Sequence, residues 1–211
     1  RRQRQMCIRD SCRSGRGLND YGDTVRELLR DKIQSNLEKG MAGRALRMMV
    51  VGIPNTGKSS FINRMAGRSR AKVADRPGVT RQNQWFAIGG GIELLDTPGV
   101  LWPKFDDPEV GNRLAFIGSV KDEVMDVETM AVRLLAVLGA QYPARLCERY
   151  KIDREQASQS EPYELLELIG HKRGMLMRGG EIDTERASAM LLDEYRAGRL
   201  GRITLEFPPA D

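Results

Sequence analysis

At 211 residues, with 40% apolar and 30% charged side chains, the chain has room for one full domain and a smaller second one. This composition describes a soluble globular protein and excludes a membrane-spanning one, since no run reaches the ~18 apolar residues of a bilayer helix and no apolar h-region marks a signal peptide. The net charge of +5 does not by itself indicate a nucleic-acid partner, because the excess is local: residues 1–47 carry 12 Lys+Arg against 6 Asp+Glu, and the remainder 22 against 23.

In chain order, residues 1–13 hold five arginines against Asp10 and show no periodicity. They are expected to be non-native or disordered, with a basic arm as the alternative. Residues 18–37 place Leu18, Val25, Leu28, Leu29, Ile33 and Leu37 at helical intervals, predicting an amphipathic helix with Asn19 or Asp20 as its cap. Leu46 to Val51 reads as an apolar strand, and Ser60 to Met65 as a helix. Gln84–Ile88 and Ile92–Leu95 read as two strands joined by Gly89-Gly90-Gly91. Residues 100–120 look loop-rich. Beyond them helical patterns appear around 126–138, 144–150, 162–173 and 184–197, with breaks expected at Gly139, Tyr142-Pro143, Gly170 and Gly179-Gly180. The organisation read from composition is therefore an α/β domain over 14–120 and an all-helical unit over 121–211. Cys7, Cys12 and Cys147 lack metal-ligand spacing and leave an odd count, which fits a reducing, cytoplasmic compartment.

Between the first strand and its helix, Gly52-Ile53-Pro54-Asn55-Thr56-Gly57-Lys58-Ser59 completes the pattern G-x-x-x-x-G-K-[ST]. Such a loop turns its backbone N–H groups toward phosphate oxygens at the positive end of a helix. Pro54, Asn55, Thr56, Gly57, Lys58, Ser59 and Ser60 are the expected nucleotide contacts. Lys58 reaches the β- and γ-phosphates and the Ser59 hydroxyl ligates Mg²⁺. Asp96-Thr97-Pro98-Gly99 begins 37 residues after Ser59. Asp96 is expected to hold Mg²⁺ through a water, and the Gly99 amide to bond the γ-phosphate. Thr80, 21 residues after Ser59, is either a switch threonine that completes the Mg²⁺ shell or a turn cap after Pro77-Gly78. Lys58, Thr80 and Gly99 are the candidate catalytic residues. Val100 stands where many GTPases carry a water-positioning glutamine, which predicts slow intrinsic hydrolysis. Asn55 either offers its carbonyl to a monovalent cation such as K⁺ or stabilises the turn after Pro54.

No N-K-x-D element for reading guanine occurs between Val100 and Asp211. Ser14-Gly15-Arg16-Gly17-Leu18, ahead of an amphipathic helix, looks like a degenerate base-contacting loop before the helix that usually closes a GTPase domain. That order implies circular permutation, with the N-K-x-D element lost upstream. Local basic groups occur at Arg64, Arg68, Arg70, Lys72, Arg76 and Arg81, and again at Lys172, Arg173 and Arg178. Each is either a polyanion footprint or a solvated face.

On GIPNTGKSSFINRM, RPGVT, LLDTPGVLWPKF, EVGNRLAF and the stretch HKRGMLMRGGEIDTERASAMLLDEYRAGRLGRITLE, the chain resembles the YlqF-related, circularly permuted GTPases from about Ser14 to Glu206. The resemblance implies a P-loop GTPase domain, with a mostly parallel sheet flanked by helices, followed by a helical C-terminal domain. It also implies binding of GTP and GDP with Mg²⁺, stimulation by K⁺, and action as an assembly factor on the large ribosomal subunit precursor. Contact with ribosomal RNA through the helical domain follows, with Arg173, Arg178, Arg196, Arg199 and Arg202 as candidate contacts, and the free protein is expected to be a monomer. Alternatives are a related GTPase of RNA modification or a nucleotide-free adaptor.

Overall fold

The computed structural model describes residue 12 and residues 15–67, 82–101, 107–120, 122 and 125–206. Apart from Cys12, the segment 1–13 lies outside the described residues, as do Thr80 and the basic residues from Arg68 to Arg81. Two compact units divide the chain, Arg1–Leu101 and Trp102–Asp211.

The first unit runs α1 (Tyr21–Leu28), α2 (Arg30–Glu38), β1 (Leu46–Val50), α3 (Lys58–Met65), β2 (Gln84–Gly89) and β3 (Ile92–Asp96). The single helix expected over 18–37 is two helices meeting at Leu29. Hydrogen bonds from Leu29 N to Val25 O (3.0 Å) and from Ile33 N to Leu29 O (2.9 Å) continue through the joint. Asp20 takes the N-cap position, but its side chain makes no cap bond. Its carbonyl instead accepts from Thr24 Oγ1 at 2.9 Å.

The described strands lie in the order β1-β3-β2. β1 pairs parallel with β3 and brings Val50 opposite Asp96. β2 pairs antiparallel with β3, as expected for the glycine-joined hairpin. Arg26 Nη2 donates to Gly90 O at 3.0 Å, tying the hairpin turn to α1. Strand alternation sends Met48, Leu94 and Phe86 to one face, where they pack with Val25 of α1 and Ile62 of α3. Tyr21 joins this layer edge-on to Phe61, with ring centroids 5.3 Å apart. On the opposite face Arg47 bonds Glu93 at 2.9 Å and lies over the Trp85 ring.

The second unit holds α4 (Pro108–Phe116), α5 (Val127–Gln141), α6 (Pro143–Tyr150), α7 (Arg154–Gln159), α8 (Pro162–Lys172) and α9 (Thr184–Arg196). α5 is its spine: Ala131, Leu134, Leu135 and Leu138 are fully buried against α6, α8 and α9. Each such leucine withdraws enough apolar surface to contribute roughly 1.5–3 kcal/mol. The stretch read as loop around 100–120 contains α4. Asp107 caps it by accepting from Glu109 N at 2.8 Å, and Pro108 fills its first turn, where no amide donor is required. α4 packs with α5 and α9, so the compact units part at Leu101/Trp102 whereas composition changes near 120.

Gly139 and Gly170 are not breaks. Gly139 lies inside α5, where a Cβ would come within 2.9 Å of Ala157 O. Gly170 lies inside α8, where a Cβ would meet Ile182 at 2.7 Å. Both are small because a neighbouring segment crosses close to the helix.

Glu194 of α9 is 5% exposed. Its carboxylate accepts from Arg149 Nε at 2.9 Å, Tyr150 Oη at 3.0 Å and Arg173 Nη2 at 3.1 Å. The Arg149 hydrogen bonds, with help from Tyr150 and Arg173, hold this carboxyl below its ordinary value of 4.5. Burial, followed by the Glu194 charge, pushes the Tyr150 phenol up. A depressed carboxylate contributes stability that is complete above its unfolded value and is lost as pH falls through the native one. Glu194→Ala is therefore expected to cost roughly 2–4 kcal/mol at neutral pH. In thermal melts taken from neutral pH to about pH 3.5, the parent should lose stability below its unfolded carboxyl value more steeply than Glu194→Gln.

Candidate functional site

The parallel β1–β3 pairing sets the site, because two loops leave neighbouring strands at the same end of the sheet. After Val50 the chain forms the phosphate loop, and after Asp96 the D-T-P-G turn. Two residues of the first loop take left-handed backbone: Asn55 (φ +60°), one of the few non-glycine residues that tolerate it, and Gly57 (φ +86°), which starts α3. Thr56 Oγ1 donates to Ile53 O at 2.8 Å and closes the loop on itself. Lys58 folds back over the loop, its Nζ 3.0 Å from Gly52 O and 2.7 Å from Ile53 O. Partial burial lowers the Lys58 pKa and the Asp96 charge offsets part of that fall. An ammonium so placed gains from any anion that enters the loop.

Ser59 Oγ donates to Asp96 Oδ2 at 2.8 Å, and Asp96 is only 2% exposed. This contact joins two of the residues expected to hold Mg²⁺. Among the described residues no group of three or more His, Cys, Asp or Glu gathers at one point. Among the described residues, the Ser59 hydroxyl and the Asp96 carboxylate are the groups placed to hold a metal together with substrate oxygens. That hard-oxygen donor set fits Mg²⁺, which keeps waters and phosphate ligands.

Gly99 lies directly on the phosphate loop. A Cβ built on it would stand 2.5 Å from both N and Cα of Pro54, closer than real Cβ atoms come. Pro54, Gly99 and Ser60 are half-buried, Asn55 and Thr56 exposed. Val100 is 73% exposed, an aliphatic side chain directed at no core. The structure therefore brings together Pro54 to Ser60, Asp96 and Gly99, while Thr80 lies outside the described residues. Thr97 was not among the candidates, yet its Oγ1 donates to Val50 O at 2.7 Å. The signal was available: a hydroxyl one residue past the strand end, beside the last residue of the paired strand.

The glycine-bearing segment before α1 lies near the same helix. Gly15 packs under the Arg64 guanidinium of α3, which would have to shift to admit a Cβ.

Of the candidate arginines in the helical unit, Arg173 and Arg196 are engaged internally. Arg173 bonds Glu194 and lies over the Tyr150 ring at 5.4 Å. Arg196 donates to Phe116 O (3.1 Å), Ala115 O (3.0 Å) and Asp122 (2.7 and 2.8 Å), fastening the end of α4 to α9. Both guanidinia already have carboxylate partners within the unit. Arg178 and Arg202 are exposed, and Arg199 stands 3.7 Å from Glu194.

A protein-family profile described as "50S ribosome-binding GTPase" matches residues 47–166. The chain is 42% identical over 203 residues to Ribosome biogenesis GTPase A of Bacillus cereus, a match that covers 96% of this chain and 68% of that one. The protein of the same name from Thermotoga maritima is 31% identical over 172 residues, 82% of this chain and 60% of that one. Among solved structures, GDP-bound YlqF aligns with a TM-score of 0.54 at 29% identity, covering 84% of this chain and 67% of that one. GNP-bound YlqF from T. maritima aligns with a TM-score of 0.53 at 29% identity, covering 83% and 65%.

Gly99→Ala should fold, since the turn is half-exposed and outside both cores, but its D-T-P-G turn can no longer lie on Pro54. Far-ultraviolet circular dichroism should match the parent, while binding of a non-hydrolysable GTP analogue falls by about tenfold or more.

Proposed function

The chain belongs to the 50S ribosome-binding GTPase family, and from that premise we propose that it is a GTP-driven assembly factor for the large ribosomal subunit, with an affinity for ribosomal RNA that changes with nucleotide state. The observation that carries this reading is the Ser59–Asp96 contact at 2.8 Å, made between a phosphate loop and a D-T-P-G turn that rests on it. A site in which the second loop touches the first can respond to one additional phosphate.

In this reading the Lys58 ammonium exchanges the Gly52 and Ile53 carbonyls for the β- and γ-phosphates of the substrate. The backbone from Pro54 to Ser60 wraps those phosphates, and the half-buried turn brings the Gly99 amide to the γ-phosphate. Ser59, Thr80 and, through a water, Asp96 would hold Mg²⁺, which when bound would offset phosphate charge. Asn55, on its exposed left-handed bend, offers its carbonyl to K⁺. Val100 has no group with which to orient water, so hydrolysis by the free protein is slow and the maturing particle stimulates it.

The partners in this account are the large-subunit precursor and its ribosomal RNA, met by a monomer in the cytoplasm. Support for the setting comes from the relatives named for ribosome biogenesis. No helix among the described residues is long and apolar enough to cross a membrane. Arg178, Arg199 and Arg202 remain as exposed candidates for RNA contact.

Co-sedimentation with large ribosomal subunits in potassium buffer tests the proposal. The chain should pellet with a non-hydrolysable GTP analogue and remain in the supernatant with GDP or without nucleotide. Equal pelleting under all three conditions would remove the switch from the account. Lys58→Ala should lower affinity for the analogue roughly 10- to 100-fold, the loss expected for a charge-assisted phosphate contact; equilibrium binding of a fluorescent analogue measures it.

A further inference from the structure

We infer that Thr97 is a positioning residue that couples the D-T-P-G turn to the root of the phosphate loop, so that its hydroxyl sets how strongly the site distinguishes a triphosphate from a diphosphate. This rests on the nucleotide-switch reading above and extends it to a side chain that touches no part of the substrate.

The geometry begins with the end of the parallel ladder. Val50 and Asp96 are its last paired residues. Beyond them the strands diverge, one into the phosphate loop and the other into the turn. Thr97 adds a side-chain rung past the end of the ladder, with Oγ1 donating to Val50 O at 2.7 Å in a half-buried position. A buried or half-buried carbonyl that has lost its donor is unfavourable, so this bond holds the first residue of the turn against the last residue of β1. Two contacts on either side then fall into place. One residue before Thr97, Asp96 meets Ser59. Two residues after it, Gly99 lies on Pro54. The turn is therefore fastened to the phosphate loop at its root by Thr97, at its metal-binding end by Asp96, and at its crown by Gly99. Of these three residues only Thr97 is assigned no contact with nucleotide or metal.

The consequence differs for the two nucleotides. A diphosphate is held chiefly by the loop from Gly52 to Ser59, whose internal bonds do not involve Thr97. The γ-phosphate additionally needs Asp96 and Gly99 in place, and the position of both depends on the turn. Loss of the Thr97 hydroxyl should therefore act on the triphosphate selectively. A side chain with a merely structural role would instead weaken both nucleotides together, or neither.

The test compares parent, Thr97→Val and Thr97→Ser chains. Valine keeps the β-branched shape without the donor, and serine keeps the donor. For each, Kd is measured for GDP and for a non-hydrolysable GTP analogue with Mg²⁺, alongside the melting temperature. The expected result is a ratio of analogue Kd to GDP Kd that rises about five- to tenfold in Thr97→Val, with GDP affinity within about twofold of the parent. Thr97→Ser should return the ratio to the parental value. An unchanged ratio in Thr97→Val, or an equal loss for both nucleotides that follows the melting temperature, would overturn the inference while leaving the proposed function standing. A parent chain that binds neither nucleotide would overturn the proposed function and this inference with it.

Discussion

The parallel pairing of β1 with β3 is the constraint on which the rest of the first unit depends. Parallel strands point their C-terminal ends the same way, so the segments that follow them emerge side by side. Here those segments are the phosphate loop and the D-T-P-G turn, and the register that sets Val50 opposite Asp96 decides which atoms meet. A shift by one residue would turn the Asp96 side chain to the other face of the sheet and end its contact with Ser59. The helices α1 and α3 secure that register by covering Met48, Leu94 and Phe86 on one face. The small apolar core of this unit thus holds a polar contact in place at its edge.

The second unit is organised differently. Its apolar core is larger and built around α5, and its buried charge sits in one cluster about Glu194. That carboxylate gathers donors from α6 and from the end of α8, while Arg196, two residues on, holds the end of α4. One turn of α9 therefore fastens several helices whose sequence separation ranges from about 20 to about 80 residues. Such long-range polar contacts leave no periodic trace along the chain.

That difference explains what could be read in advance. The phosphate loop, the D-T-P-G turn, the glycine-joined hairpin and most helices were legible because local geometry and apolar spacing specify them. α4 is harder to read although Asp107-Pro108 is a good helix start, because Asp-Pro begins a turn as readily as a helix. Gly139 and Gly170 were misread for the opposite reason: the need for a small residue comes from Ala157 and Ile182, which lie elsewhere in the sequence. Thr97 was in plain view inside a recognised motif, but its partner Val50 is 47 residues away. The arginines of the helical unit look alike in sequence, and only the fold separates those hydrogen-bonded to Glu194 or Asp122 from those such as Arg178 and Arg202.

That separation bears on how the helical unit would meet a polyanion. Association with RNA gains from every cation that releases condensed counterions, and the steepness of its salt dependence counts those cations. A guanidinium already matched by a carboxylate of its own fold projects little net field, and using it on a phosphate would mean breaking an internal bond. Glu194 and Asp122 thus withdraw Arg149, Arg173 and Arg196 from that count. Residues 102–211 hold 15 Lys+Arg against 20 Asp+Glu, so any response to ionic strength would be set by a local group of exposed cations such as Lys172, Arg178, Arg199 and Arg202. Fewer free cations would mean a shallower salt dependence and a shorter-lived contact with any polyanion.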